Sequence, residues 1–139
     1  MSWLQREIVL EPRPRGFHLV TREVLNALPE LGSLSVGLLH LLIQHTSASL
    51  TLNENASPDV RRDFETWFDL VVPERAPHWS HTLEGPDDMP AHIKAALTAT
   101  SLSIPLLDGA LGLGRWQGIY LWEHRRFPSH RHLLIHLSA

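Results

Sequence analysis

The chain has 139 residues, 43% of them hydrophobic, and its 12 Lys and Arg against 15 Asp and Glu leave a formal charge of -3. That size fits one domain, 1–139, with a proper core, and neither sign of charge gathers into a run that would track nucleic acid or a membrane surface. The lack of cysteine excludes disulfides, thiolate zinc sites and cysteine nucleophiles, and the absence of a signal-peptide layout or a long apolar run predicts a soluble, cytoplasmic protein.

From Trp3 to Leu10 the residues Leu4, Ile8 and Leu10 fall on one side of an extended chain and Gln5 and Glu7 on the other, until Pro12 and Pro14 stop the strand. Thr21 is placed to cap a helix of about two turns striped by Val24, Leu25 and Leu28, which Pro29 and Gly32 close. Val36 to Ile43 is almost continuously apolar, as in a strand covered on both faces, and it exits at His45. Within that run His40 reads as a satisfied core histidine.

Ser57 and Pro58 make an N-cap and N1 pair for a helix whose Val60, Phe64, Trp67, Phe68 and Val71 recur every three or four residues. A loop over 73–86 leads to a helix from about Asp88 to Ala99, with Asp87 or Asp88 as its cap. Leu102, Ile104 and Leu106 alternate with polar or small residues, Asp108-Gly109 marks a tight hairpin, and strands over about 111–124 and 131–137 follow. This order predicts an α+β domain with a mostly antiparallel sheet and packed helices.

Ten histidines are the one oddity of composition, and imidazole both titrates near neutrality and binds metals. Three polar segments carry the candidates. In His45 to Asn55, small hydroxyls, amides and Glu54 suit phosphate oxygens or a metal-bound water, although Thr46, Ser47, Ser49, Asn53 and Asn55 also suit turn positions. His81 to His92 packs His81, Glu84, Asp87, Asp88 and His92 into twelve residues, and a loop followed by a helix can bring His81 and His92 to one zinc-like ion. In Leu111 to Arg125, a period of two sends Trp116, Tyr120, Trp122 and His124 to one face, which suits a core or subunit interface as well as a stacking platform. His130, His132 and His136 lie opposite Leu133, Ile135 and Leu137, on the ordinary outward face of the last strand.

The stretches HTSASLTLNENASPDVRRDFE, HTLEGPDDMPAHIK and GRWQGIYLWEHR resemble, in order and separation, the signature blocks of the YjbQ family. The resemblance implies a single-domain, β-sandwich-like α+β fold assembled as a homotrimer, with polar residues near subunit boundaries. It also implies a secondary thiamine-phosphate synthase activity, a transferase reaction joining hydroxymethylpyrimidine diphosphate to a thiazole phosphate with release of pyrophosphate.

On the matching positions this gives His45, Glu54, His81, Glu84 and His124 as catalytic residues and Asn53, Asp87, Trp116, Gln117 and Arg125 as substrate-binding residues. His81, His92 and His124 would hold a divalent metal, zinc or magnesium, or share a phosphate. The expected partner is a small phosphorylated metabolite or anion. Two other readings use the same residues: metal-assisted hydrolysis of a small metabolite, and a non-catalytic trimer fastened by an anion.

Overall fold

The computed structural model describes residues 1–139. Along the chain run β1 (Trp3–Leu10), β2 (Gly16–Leu19), α1 (Thr21–Asn26), a 3-10 turn (Pro29–Ser33), β3 (Val36–Ile43), β4 (Ala48–Glu54), α2 (Pro58–Val71), α3 (Asp88–Leu97), β5 (Ser101–Leu107), β6 (Ala110–Leu111), β7 (Gln117–Glu123) and β8 (Arg131–Ser138). The strands form a five-stranded sheet in the order β1-β8-β3-β5-β6 and a three-stranded sheet in the order β2-β7-β4, and every pairing is antiparallel. The fold is therefore α+β with antiparallel sheets and few helices.

Period-two alternation explains how two small sheets share one core. Leu39, Leu41, Ile43, Ile104, Leu133 and Ile135 of the larger sheet meet Ala48, Leu50, Ile119 and Leu121 of the smaller in one apolar cluster. The other face of β7 sends Tyr120 and Trp122 into a second cluster with Phe17, Phe68 and Val72, in which the Phe17 and Tyr120 rings stack at 4.0 Å. The α2 helix covers that cluster with Phe64 and Phe68, so β7 is buried on both faces.

The α2 helix starts as its sequence dictates: Ser57 is the N-cap, its hydroxyl accepts the Asp59 N–H at 3.3 Å, and Pro58 fills N1, where no N–H is needed. The Asp108-Gly109 hairpin joins β5 to β6 with both residues at positive φ, 48° and 83°. A Cβ at Gly109 would sit 2.7 Å from the Gly32 carbonyl oxygen, so glycine is required there for space as well as for φ.

Five expectations change. The β3 strand is not covered on both faces, because Val36, Leu38 and Leu42 face outward and are exposed. His40 stands on that outer face, where its Nδ1 lies 2.9 Å from the Ser103 hydroxyl, so it is no core histidine. The segment read as turns after Thr46 is the strand β4, paired along its whole length with β7. Thr21 does not cap α1; its hydroxyl instead accepts the Ile119 N–H at 2.9 Å and ties α1 to β7. The strand expected over 111–124 is broken into β6 and β7, with residues 112–116 outside either.

Candidate metal centre

Asp88 and His92 lie four residues apart in α3 and so share one face of the helix, while His81 approaches from the preceding loop. The Nε2 atoms of His81 and His92 both reach Asp88 Oδ2, at 2.7 and 2.9 Å. One ligand atom from each residue lies within 4.8 Å of the others. Ligands about 2.1 Å from a shared tetrahedral cation stand roughly 3.4 Å apart. The two His–Asp separations would widen by about 0.5–0.7 Å and the gap between the two imidazole nitrogens would close by at most about 1.4 Å to reach that spacing, and His81 sits on a loop, half exposed.

Two supporting contacts orient this group. The His92 Nδ1–H donates to the Thr46 carbonyl at 2.9 Å, which turns Nε2 toward Asp88, as the second nitrogen of a metal-ligating histidine usually does. Asp88 Oδ1 is held by the Arg125 guanidinium, and Arg125 Nε donates to Asp87 Oδ2 at 3.1 Å. Burial raises the Asp88 pKa, but the His81 hydrogen bond and the charges of His92 and Arg125 outweigh it, holding the carboxyl below its ordinary range. Asp87 behaves alike: burial is outweighed by the Arg126 backbone N–H and by Arg125. Asp87 therefore serves Arg125 and Arg126, and although it sits at the α3 N-cap its side chain makes no cap hydrogen bond.

The structure does not bring His124 to His81 and His92. It lies at the end of β7, nearly closed to solvent, with Nε2 2.9 Å from the Ser49 hydroxyl, which lies 2.5 Å from the hydroxyl of Thr98. Asp88, not His124, is the third member of the group with His81 and His92. Its signal was present in the sequence as the four-residue spacing to His92, but aspartate at a helix start also reads as a cap. His45 stands where β3 ends and accepts the His132 backbone N–H on Nε2 at 2.8 Å, and burial followed by the charges of Arg131 and His132 lowers its pKa.

The remaining candidates divide between the two ends of the β4–β7 ladder. Asn53, Glu54 and Gln117 lie at one end, where Glu54 pairs with Gln117, while Ala48 pairs with Glu123 at the other. Six residues of strand separate those ends by about 20 Å. Each residue at the far end has a local duty: the Glu54 carboxylate accepts the Ser57 N–H at the start of α2, Asn53 Oδ1 accepts the Glu54 N–H, and Gln117 Oε1 accepts the Gly114 N–H. Trp116 is exposed, with the Arg115 guanidinium 4.9 Å over its ring. Glu84 contributes a backbone carbonyl to Arg125, and its side chain is exposed. Arg125 is thus the one expected substrate-binding residue whose side chain bonds a member of the His81–Asp88–His92 group, and Asp87 reaches it only through Arg125. Its guanidinium is committed to carboxylates rather than to a departing diphosphate.

No helix is long and apolar enough to cross a membrane. A family model described as UPF0047 protein YjbQ-like matches residues 6–139. The chain is 49% identical over 137 residues to the UPF0047 protein YjbQ of Escherichia coli O157:H7, covering 99% of each. Among solved structures it is similar to an uncharacterized conserved protein of the YjbQ/UPF0047 family from Clostridium acetobutylicum, at 37% identity and TM-score 0.82 over 94% of this chain and 97% of that one. A YbjQ-like protein of unknown function from Sulfolobus solfataricus, 21% identical, shares the fold at TM-score 0.86 over 99% of both chains. These descriptions correct the expected activity: the relatives are uncharacterised proteins, nothing among them points to thiamine-phosphate synthesis, and the transferase assignment is withdrawn. What the matches do establish, through most of the chain and at close to half identity, is kinship: the chain belongs to the UPF0047 protein YjbQ-like family.

Proposed function

We propose that the chain is a metal-binding protein in which His81, Asp88 and His92 hold one divalent transition-metal cation, leaving its other positions open to water and to a small anionic metabolite. The observation that carries this reading is the convergence of two imidazole Nε2 atoms on a single oxygen of a nearly buried carboxylate whose other oxygen is already satisfied by Arg125. Two nitrogens and one oxygen suit zinc or a similar ion better than magnesium, which prefers an all-oxygen shell. When bound, such a cation supplies a Lewis-acid centre. The chain's own residues set its surroundings: Thr46 fixes the His92 ring, and Arg125 aims Asp88 and keeps it ionised.

The protons follow from the hydrogen bonds. His92 donates to Thr46 through Nδ1, so its Nε2 contact with Asp88 requires a second ring proton, which a cation must displace. Zinc titrated into metal-free protein should therefore bind at one ion per chain and release protons, measured by equilibrium dialysis and in a weakly buffered solution. Absence of zinc binding would overturn the reading.

The finer architecture belongs to the same proposal. The two sheets face each other across the shared core in a sandwich-like manner, and three copies assemble in the cytoplasm. The trimer draws support from Trp3, Val36, Leu38 and Leu107, large apolar side chains exposed on the outer face of the five-stranded sheet. Light scattering should give the mass of three chains; the mass of one would exclude it.

A further inference from the structure

On the His81 side of the metal cluster lies a cavity of about 330 Å3, lined by Arg75, Ala76, Trp79, His81, Pro86 and Met89. Its size suits a small molecule rather than a peptide. One residue of its wall, Arg75, stands out on two counts. Arg75 sits at φ 54°, in the left-handed region that side-chain-bearing residues rarely adopt. Its guanidinium is also without a side-chain partner, whereas neighbouring Arg15, Arg125 and Arg126 are each tied to carboxylates.

Trp79 supplies the flat part of the wall. It is half-buried, its indole Nε1 donates to the Pro73 carbonyl at 3.2 Å, and the His78 ring lies against it with centroids 4.3 Å apart, two contacts that fix the ring. With Ala76, Pro86 and Met89 it gives the cavity an apolar side, while Arg75 and His81 give it a polar one.

Charge decides what would enter. Asp87 and Asp88 are offset by Arg125 and by a dication, so the loaded cluster carries one net positive charge, and Arg75 adds a second beside it. The other carboxylates of the region do not cancel these: Glu74 is taken by Arg15 and Arg126, and the Glu84 side chain faces solvent.

We infer that this cavity is the ligand compartment of the metal centre, and that it takes a small molecule with an oxyanion paired to Arg75 and a flat apolar body against Trp79. A guanidinium pairs equally well with carboxylate and with phosphate-type oxygens, so the shared chemistry is the oxyanion. The inference rests on the metal reading for the cation's share of the attraction, and on Arg75 and Trp79 for the rest.

The test is calorimetric titration of benzoate and of phenylphosphonate, one carboxylate and one phosphonate, into zinc-loaded and metal-depleted protein. Arg75→Asn is the informative variant, because asparagine tolerates positive φ and leaves the loop unstrained. At least one probe should bind the wild type and weaken about tenfold in Arg75→Asn, with zinc content unchanged. Trp79→Leu should weaken that probe relative to its methyl analogue, acetate or methylphosphonate. Binding indifferent to Arg75, or no binding of either probe, would overturn the inference. Probe binding that depends on Arg75 in a chain that takes up no zinc would sink the metal reading and keep the compartment, and bound zinc with Arg75-independent probes would do the reverse.

Discussion

Replacing Glu123 with alanine is expected to lower the unfolding free energy by about 3–5 kcal/mol, because it leaves a guanidinium buried without its counter-charge. Arg131 donates to the Glu123 carboxylate through Nε at 2.8 Å and Nη2 at 2.5 Å, and the two side chains are only 5% and 1% exposed. Arg131 also holds the Ser47 hydroxyl at 3.1 Å, and Glu123 Oε2 accepts the Arg125 backbone N–H at 3.2 Å. The pair thus ties the end of β7 and the start of β8 to the β3–β4 turn, and it fixes the backbone from which Arg125 reaches Asp88. Single domains are stable by about 5–15 kcal/mol, so the loss is a large share of the whole. Urea denaturation of Glu123→Ala measures it; a change below about 1 kcal/mol would show that the pair is not held as described.

The second large effect is on pH dependence. His124 is held neutral, its pKa pushed down to about 3 by burial and then by the positive charges of Lys94, Arg131 and Arg15. In the unfolded chain an imidazole titrates near 6.5. Above that value both states are neutral and His124 contributes no slope. Below it the unfolded chain takes a proton that the native state refuses, so stability falls as pH falls, by at most about 1.4 kcal/mol per pH unit, until the folded value is reached. Asp87 and Asp88, whose folded pKa values are depressed, act later: their stabilisation is present above the ordinary carboxylate range and is lost as pH drops through their lowered values. Urea midpoints from pH 7 to 4 should decline more gently in His124→Asn than in the wild type; parallel profiles would contradict the neutral buried imidazole.

Elements with one strong local signal were legible in the sequence. The bounds of β1 and β3, the Ser57-Pro58 start of α2 and the Asp108-Gly109 hairpin all follow from alternation, capping or turn chemistry that acts over a few residues. The β4 strand was hidden because its Ser49, Thr51 and Asn53 are as common in turns as beside a half-covered strand, and only pairing with β7 decides between them. The exposed face of β3 was hidden for a related reason: a continuous apolar run says nothing of which face is covered inside a single chain.

For the site, sequence placed His81, His92 and His124 together, whereas the structure groups His81 and His92 with Asp88 and sets His124 against Ser49. His124 and Asp88 offer equally good ligand atoms, and their separation depends on where β7 ends relative to α3, which no spacing encodes. The sequence also gathered into one site residues that the structure sets at both ends of β7. Trp116, Gln117, Asn53 and Glu54 follow each other closely in the motifs, yet an extended strand places them about 20 Å from Arg125 and His124. The Arg131–Glu123 pair was missed altogether, since an arginine on a strand ordinarily faces solvent and only the closed packing around Ser47 shows otherwise.

The central claim is that His81, Asp88 and His92 form the metal site while His124 stands outside it. The most direct measurement is elemental analysis of zinc-reconstituted, dialysed protein, comparing wild type with His81→Ala, Asp88→Ala, His92→Ala and His124→Asn, each checked for folding by circular dichroism. The account predicts one zinc per chain in the wild type and in His124→Asn, and loss of the ion in the other three. A wild type without stoichiometric zinc, or zinc lost from His124→Asn and retained in folded Asp88→Ala, would contradict it.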